Sequence, residues 1–222
     1  MIEEAYGRPI VTVDIVLLSL HEGELSVALL PRTSEPYMRS LALIGGYVHT
    51  DEDHTAEDAV HRILKAKAGV EGIFFEQLQT FASATRDPRD WSVSVAYFAL
   101  VPREKLHGSA DELVFRAADN PGTLPFDHEL IVKAALERVR GKGAYSTIPA
   151  RLLPDEFTMS ELQAIYQTVM GVRLDQSAFR RKVGELDLLE EIQGRKRQTK
   201  DARRPTALYR LKEPMSVFDR RL

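Results

Sequence analysis

Two sets of side chains in this 222-residue sequence have the chemistry to hold an anion, and they lie in opposite halves of the chain. In the first half, Arg32 of Pro31-Arg32-Thr33 can offer a bidentate guanidinium to a phosphate. Gly45-Gly46 lets backbone approach a ligand closely. Arg86-Asp87-Pro88-Arg89-Asp90 adds two cations and two carboxylates able to hold hydroxyl groups, and Tyr37 and Tyr47 offer rings that stack on a base. Arg62 is a further cation in this region. Each has a plainer reading: Arg62 sits within a helix and simply bonds its neighbours, Arg86 and Arg89 are salt-bridged surface turn residues, and Trp91 packs on an edge strand. His49, His54 and His61 lack partners at metal-ligand spacing, so no metal is expected there.

In the second half, Gln176, Ser177, Arg180, Arg181 and Lys182 fall within one short segment, and these side-chain types read base edges or clamp phosphates. A basic run follows, with Arg195, Lys196, Arg197, Lys200, Arg203 and Arg204, suited to phosphate contact or to a narrow minor groove. The plainer reading is a solvated charge run on a protein-binding domain. Charge is distributed accordingly. Residues 151–222 hold 15 Lys/Arg against 11 Asp/Glu, so within a net charge of −3 the first 150 residues carry −7. An acidic front half and a basic back half are what a chain shows when only the back half meets nucleic acid.

These residues need elements to hold them. Residues 10–20 and 25–30 read as strands joined by the turn His21-Glu22-Gly23-Glu24, and Ala42-Leu43-Ile44 leads a short strand into Gly45-Gly46. From Thr55 the period becomes helical, with Thr55 and Asp58 as a capping box and Gly69 as the stop. Leu78–Ala84 and Ser92–Val101 read as strands, and Asp127–Arg140 as a second helix. Gly141–Pro149 has two glycines, a proline and no periodicity, and reads as a linker and hinge. Thr158-Met159-Ser160-Glu161 then opens a helix stopped by Gly171, Asp175 caps another over Gln176–Leu186, and strands Leu188–Ile192 and Ala207–Leu211 flank the basic run as its loop. Helix, turn, helix and basic hairpin describe a winged helix.

The stretch Gly45 to Val70 resembles the Nudix box. Gly46 and Glu52 keep the first spacing, and Arg62, Leu64, Gly69 and Val70 keep the end, with two extra residues between Glu52 and Arg62. In Nudix enzymes three glutamates on the helix supply the hard oxygen ligands of a divalent metal, which bridges a diphosphate and stabilises the charge that develops on hydrolysis. Those positions here are Ile63, Ala66 and Lys67. A lysine there repels Mg²⁺ and can itself sit against a phosphate, so no hydrolysis and no catalytic residue are expected, although Glu52, Asp53, Glu57 and Asp58 lie nearby.

Across nearly its whole length the chain resembles the Nudix-related transcriptional regulators of NAD metabolism. The resemblance is carried by Gly45-Gly46-Tyr47-Val48-His49, Arg86-Asp87-Pro88-Arg89, Ser94-Val95-Ala96-Tyr97, Phe126-Asp127-His128, Leu152-Leu153-Pro154-Asp155-Glu156-Phe157-Thr158, Glu161-Leu162, Phe179-Arg180-Arg181-Lys182 and Arg204-Pro205. It implies an α+β chain: a Nudix α/β/α sandwich sensor over residues 1–141, a linker at 142–150 and a winged helix-turn-helix domain over 151–222. It also implies a homodimer on palindromic double-stranded operator DNA, repression of NAD biosynthesis or salvage genes, and ADP-ribose or NAD as effector, with no bound cofactor. The competing readings are a pentose-responsive regulator of the same build and a Nudix hydrolase with an accessory domain. Cysteine is absent and no stretch approaches the ~20 apolar residues of a membrane helix, so a cytoplasmic protein is expected.

Overall fold

The computed structural model describes residues 7–106, 112–198, 205–212 and 216–218. Strand β1 (Ile10–His21) and strand β2 (Glu24–Pro31) form a hairpin whose tight turn has positive φ at both Glu22 (51°) and Gly23 (85°). That geometry matches the right-handed twist of the flanking strands. Strands β3 (Leu41–Ala42) and β4 (Ile44–Tyr47) follow, then helix α1 (Ala56–Ala68), strand β5 (Phe74–Ser83) and strand β6 (Ser92–Leu100). A short strand β7 (Val114–Ala117), unanticipated from the sequence, pairs with β2. The one expected strand through Ala42-Leu43-Ile44 is split at Leu43, whose N–H leaves the ladder to bond the His128 ring.

β1 organises the sheet. It runs parallel to β6 from Ile10 to Leu18, while its other edge is shared: Thr12–Ile15 pair with β4, and Leu18–His21 pair with β2. Because successive strand residues point to opposite faces, Val13, Ile15 and Leu17 pack towards α1, and Val16 and Leu18 pack towards helix α2 (His128–Gly143). The result is the expected α/β/α sandwich, and Asp14 falls on the α2 side. Thr55 and Asp58 form the capping box of α1, and Gly69 closes it at φ 64°.

Helix α3 (Met159–Met170) opens on the capping box of Thr158 and Glu161, and helix α4 (Gln176–Glu185) on Asp175. Strands β8 (Leu189–Arg197) and β9 (Thr206–Leu211) complete the winged helix. β8 runs beyond the expected end at Ile192, through a register shift that includes Gly194 at φ 73°. Glu191 pairs with Tyr209 and Lys196 with Ala207, so β8 carries three extra residues there, and a glycine in the left-handed region lets the strand bulge and continue. Arg195, Lys196 and Arg197 are therefore strand residues rather than loop residues; Lys200, Arg203 and Arg204 lie outside the described residues.

The linker expectation needs correction. Residues 141–143 are the last turn of α2, and Ser146, Thr147, Ile148, Pro149 and Ala150 are buried. A Cβ on Gly143 would meet Pro149 at 3.2 Å and Met170 at 3.3 Å, and the Tyr166 hydroxyl donates to the Ser146 carbonyl at 2.8 Å. One continuous apolar cluster joins Val132, Ala135 and Val139 of α2 to Leu162, Ile165 and Val169 of α3. Within it Tyr145 stays exposed, while the stretch from Ser146 to Ala150 is buried. Among the described residues no helix is long and apolar enough to cross a membrane.

Candidate ligand cleft and nucleic-acid interface

Where the edge of β1 passes from β4 to β2, a cleft of about 470 Å³ opens, with Arg32, Gly45, Gly46, Tyr47, Lys67, Arg86, Asp87, Arg89, Phe126 and His128 in its lining. Arg86 is its centre and is buried, not a surface turn residue. Its guanidinium donates to both carboxylate oxygens of Asp127 (3.0 and 2.9 Å), to Asp14 (3.3 Å) and to Ser92 (3.3 Å). Burial opposes the Arg86 charge, but Asp127 and Asp14 more than offset it and hold the pKa above the ordinary arginine value. Asp14 also accepts from Ser94 at 2.6 Å.

His128 sits beneath this network. Its Nδ1 accepts from the Leu43 N–H at 3.1 Å, which places the ring proton on Nε2, 3.6 Å from Asp14. Burial pushes the imidazole pKa down, so the ring stays neutral. Asp127 stands at the N-cap of α2 but makes no cap bond, its carboxylate being committed to Arg86. Asp14, Asp127 and His128 were not among the residues singled out from the sequence as site residues. An acid inside the apolar run Val13-Asp14-Ile15 was the available signal, because a buried carboxylate requires a partner.

The remaining first-half residues divide. Arg89 donates to both Asp87 oxygens (2.9 and 2.6 Å) and to the Tyr47 hydroxyl, and lies over the Tyr47 ring. Arg32 stacks on Phe126 at 4.8 Å and donates to the carbonyls of Pro36 (2.7 Å) and Ser34 (3.3 Å). Tyr37 meets Phe126 edge-on at 5.0 Å and lies outside the cleft lining. Arg62 is also outside it: the guanidinium grips both Asp53 oxygens (2.9 and 2.6 Å) and the Tyr47 carbonyl (2.9 Å), the plainer of its two readings. Trp91 precedes β6 and is exposed, so it is not an edge-strand packing residue.

Helix α1 presents its box positions to the glycine lip. Gly46 rides over Ile63, to which an added Cβ would come within 3.4 Å, and Lys67 Nζ donates to the Gly45 carbonyl at 2.5 Å. Partial burial pushes the Lys67 pKa down, with Asp14 opposing. This donor set does not fit the divalent cation of Nudix enzymes: one position is aliphatic and buried, one has no donor, and one is a cation. Of the nearby acids, Glu52 bonds His49, Asp53 is held by Arg62, Asp58 is spent in the capping box, and none of these or Glu57 lines the cleft. Among the described residues no three His, Cys, Asp or Glu side chains converge as a metal site.

On α4, Phe179 and Val183 are buried, Phe179 lying 5.5 Å from the Tyr166 ring. Gln176, Ser177, Arg180 and Arg181 are exposed and Lys182 is half-buried. Lys196 is exposed on β8, whereas Arg195 bonds Glu156, and Arg197 bonds Glu161 (3.2 Å) and the Glu156 carbonyl (3.1 Å). Arg195 and Arg197 thus tie the wing to the start of α3.

A Nudix-type sandwich with a charged cleft, packed on a winged helix, defines a DNA-binding regulator with a ligand domain. Residues 149–211 match the NrtR DNA-binding winged helix domain. Over 211 residues the chain is 36% identical to the ADPR responsive transcriptional repressor NtrR of Acinetobacter baylyi, covering 92% of this chain and 83% of the relative. The crystal structure of Shewanella oneidensis NrtR complexed with a 27mer DNA is 32% identical with a TM-score of 0.86, covering 96% of this chain and 99% of that one. The NUDIX domain of the same protein, complexed with ADP ribose, is 31% identical with a TM-score of 0.55, covering 61% of this chain and 92% of that one. The chain belongs to the NrtR family, and it is a ligand-responsive transcriptional repressor.

Proposed function

We propose that this repressor senses ADP-ribose in the cleft, binds palindromic operator DNA as a cytoplasmic homodimer, controls NAD biosynthesis or salvage genes, and hydrolyses nothing. The observation that carries the reading is the cleft lining: Arg32, Lys67, Arg86 and Arg89 stand around the Gly45-Gly46 lip with Tyr47 and Phe126 beside them. Cations and a close backbone suit a diphosphate, the rings suit an adenine or ribose face, and Asp87 suits a ribose hydroxyl. The relatives named for ADP-ribose support the choice of ligand. Gln176, Ser177, Arg180, Arg181 and Lys182 are assigned to operator contact, with Lys196 on the phosphates and Arg195 and Arg197 shaping the wing. Helix α1 carries Ile63, Ala66 and Lys67 where Nudix enzymes have the glutamates that bind the catalytic metal, which supports the absence of hydrolysis.

A thermal-shift series with ADP-ribose, NAD and a pentose, paired with a turnover assay in Mg²⁺ and Mn²⁺, tests this. ADP-ribose should raise the melting temperature without being consumed. Stabilisation by the pentose alone makes the chain a sugar sensor, and sustained multiple turnover makes it a hydrolase.

A further inference from the structure

We infer that the cleft binds the diphosphate of its ligand without a divalent cation, the Lys67 ammonium supplying the positive charge at the lip of the cleft. The inference rests on the nucleoside-diphosphate reading of the cleft and deepens it. Positions 63, 66 and 67 share one helical face, so whatever replaces their carboxylates faces the same place. Here Ile63 fills the space below Gly46, Ala66 leaves room, and Lys67 reaches to Gly45.

The pairing of the cleft's cations points the same way. Arg86 faces two carboxylates, Asp127 and Asp14, and Arg89 faces Asp87, while Glu112 also lies in the lining. Arg32 and Lys67 bond only carbonyl oxygens, and among the described residues neither has a carboxylate at ion-pair distance. A diphosphate diester brings one negative charge on each phosphate, which these two cations meet. Lys67 uses one of its three N–H donors on Gly45, leaving two for phosphate oxygens. A magnesium ion would add like charge beside Lys67 and find no carboxylate at positions 63, 66 and 67 of α1.

Calorimetric titration of the full chain with ADP-ribose, once in EDTA and once in excess Mg²⁺, tests the inference. Equal affinity in both conditions is expected. Lys67→Met keeps the aliphatic stem and should weaken binding roughly tenfold or more in both, because a charge-assisted hydrogen bond is lost. Lys67→Arg should restore most of the affinity and Lys67→Gln should not, a contrast that a purely structural tether to Gly45 would not produce. It also decides the matter if Lys67→Met fails to fold. Binding that requires Mg²⁺, or Lys67→Met and Lys67→Gln variants with wild-type affinity, overturns the inference and leaves ADP-ribose as effector. Absence of binding in both conditions overturns the effector reading as well.

Discussion

Asp53 and Arg62 close the loop between β4 and α1 by a bidentate pair, and the pair depends on pH. The Arg62 hydrogen bond holds the Asp53 carboxyl down at about 2. A carboxylate depressed in the folded state contributes stability above its unfolded pKa and loses it as pH falls towards the folded value. That window runs from about pH 4 down to about pH 2. Acid unfolding followed by circular dichroism should therefore be less steep across this window in Asp53→Asn, which should also melt lower than wild type at neutral pH. Identical acid profiles would mean the loop is held by other contacts. Arg62 illustrates what a sequence conceals at this scale. Its type suits a phosphate, but its nearest carboxylate decides its use, and Asp53 lies nine positions away across a loop. Arg86 shows the converse. Its type and turn position were legible, whereas its partners Asp14 and Asp127 come from two other elements, 72 and 41 positions away.

The elements themselves were largely legible, because their signals are local. Both capping boxes, the glycine stops at Gly69 and Gly171 and the Asp175 cap all fall where residue types placed them. What local reasoning missed depended on distant pairing. β7 exists because β2 offers an edge, β3 and β4 separate because His128 takes the Leu43 amide, and β8 extends through a bulge. For α4, the buried faces of Phe179 and Val183 leave Arg180 and Arg181 outward at the middle of the helix, next to the N-terminal part that meets base edges in a helix-turn-helix. Arg180→Ala and Arg181→Ala should each weaken specific operator binding by about 1–3 kcal/mol. The check is an electrophoretic mobility titration with specific and scrambled duplexes. Equal losses on both would assign these arginines to phosphates instead of bases.

At the scale of the whole molecule, α2 connects the two functions. Its N-terminus carries His128 in the cleft lining and Asp127 bonded to Arg86, and its C-terminal half packs on the winged helix. Near that end, Arg140 donates to the Val169 carbonyl of α3 at 3.3 Å and to both oxygens of Asp119 (2.8 and 2.7 Å). The sequence suggested a free hinge after α2, but the buried Ser146–Ala150 segment makes the joint a packed one. A ligand that draws on Arg86 acts on Asp127, and hence on a helix seated against α3. Such a ligand shifts operator affinity only in proportion to its preference for one arrangement of the domains. The most direct test of this coupling is fluorescence anisotropy of a labelled duplex from upstream of the chain's own gene, titrated with the full chain with and without saturating ADP-ribose. ADP-ribose should change the operator Kd by about fivefold or more, the usual scale of allosteric coupling. Superimposable curves would contradict it.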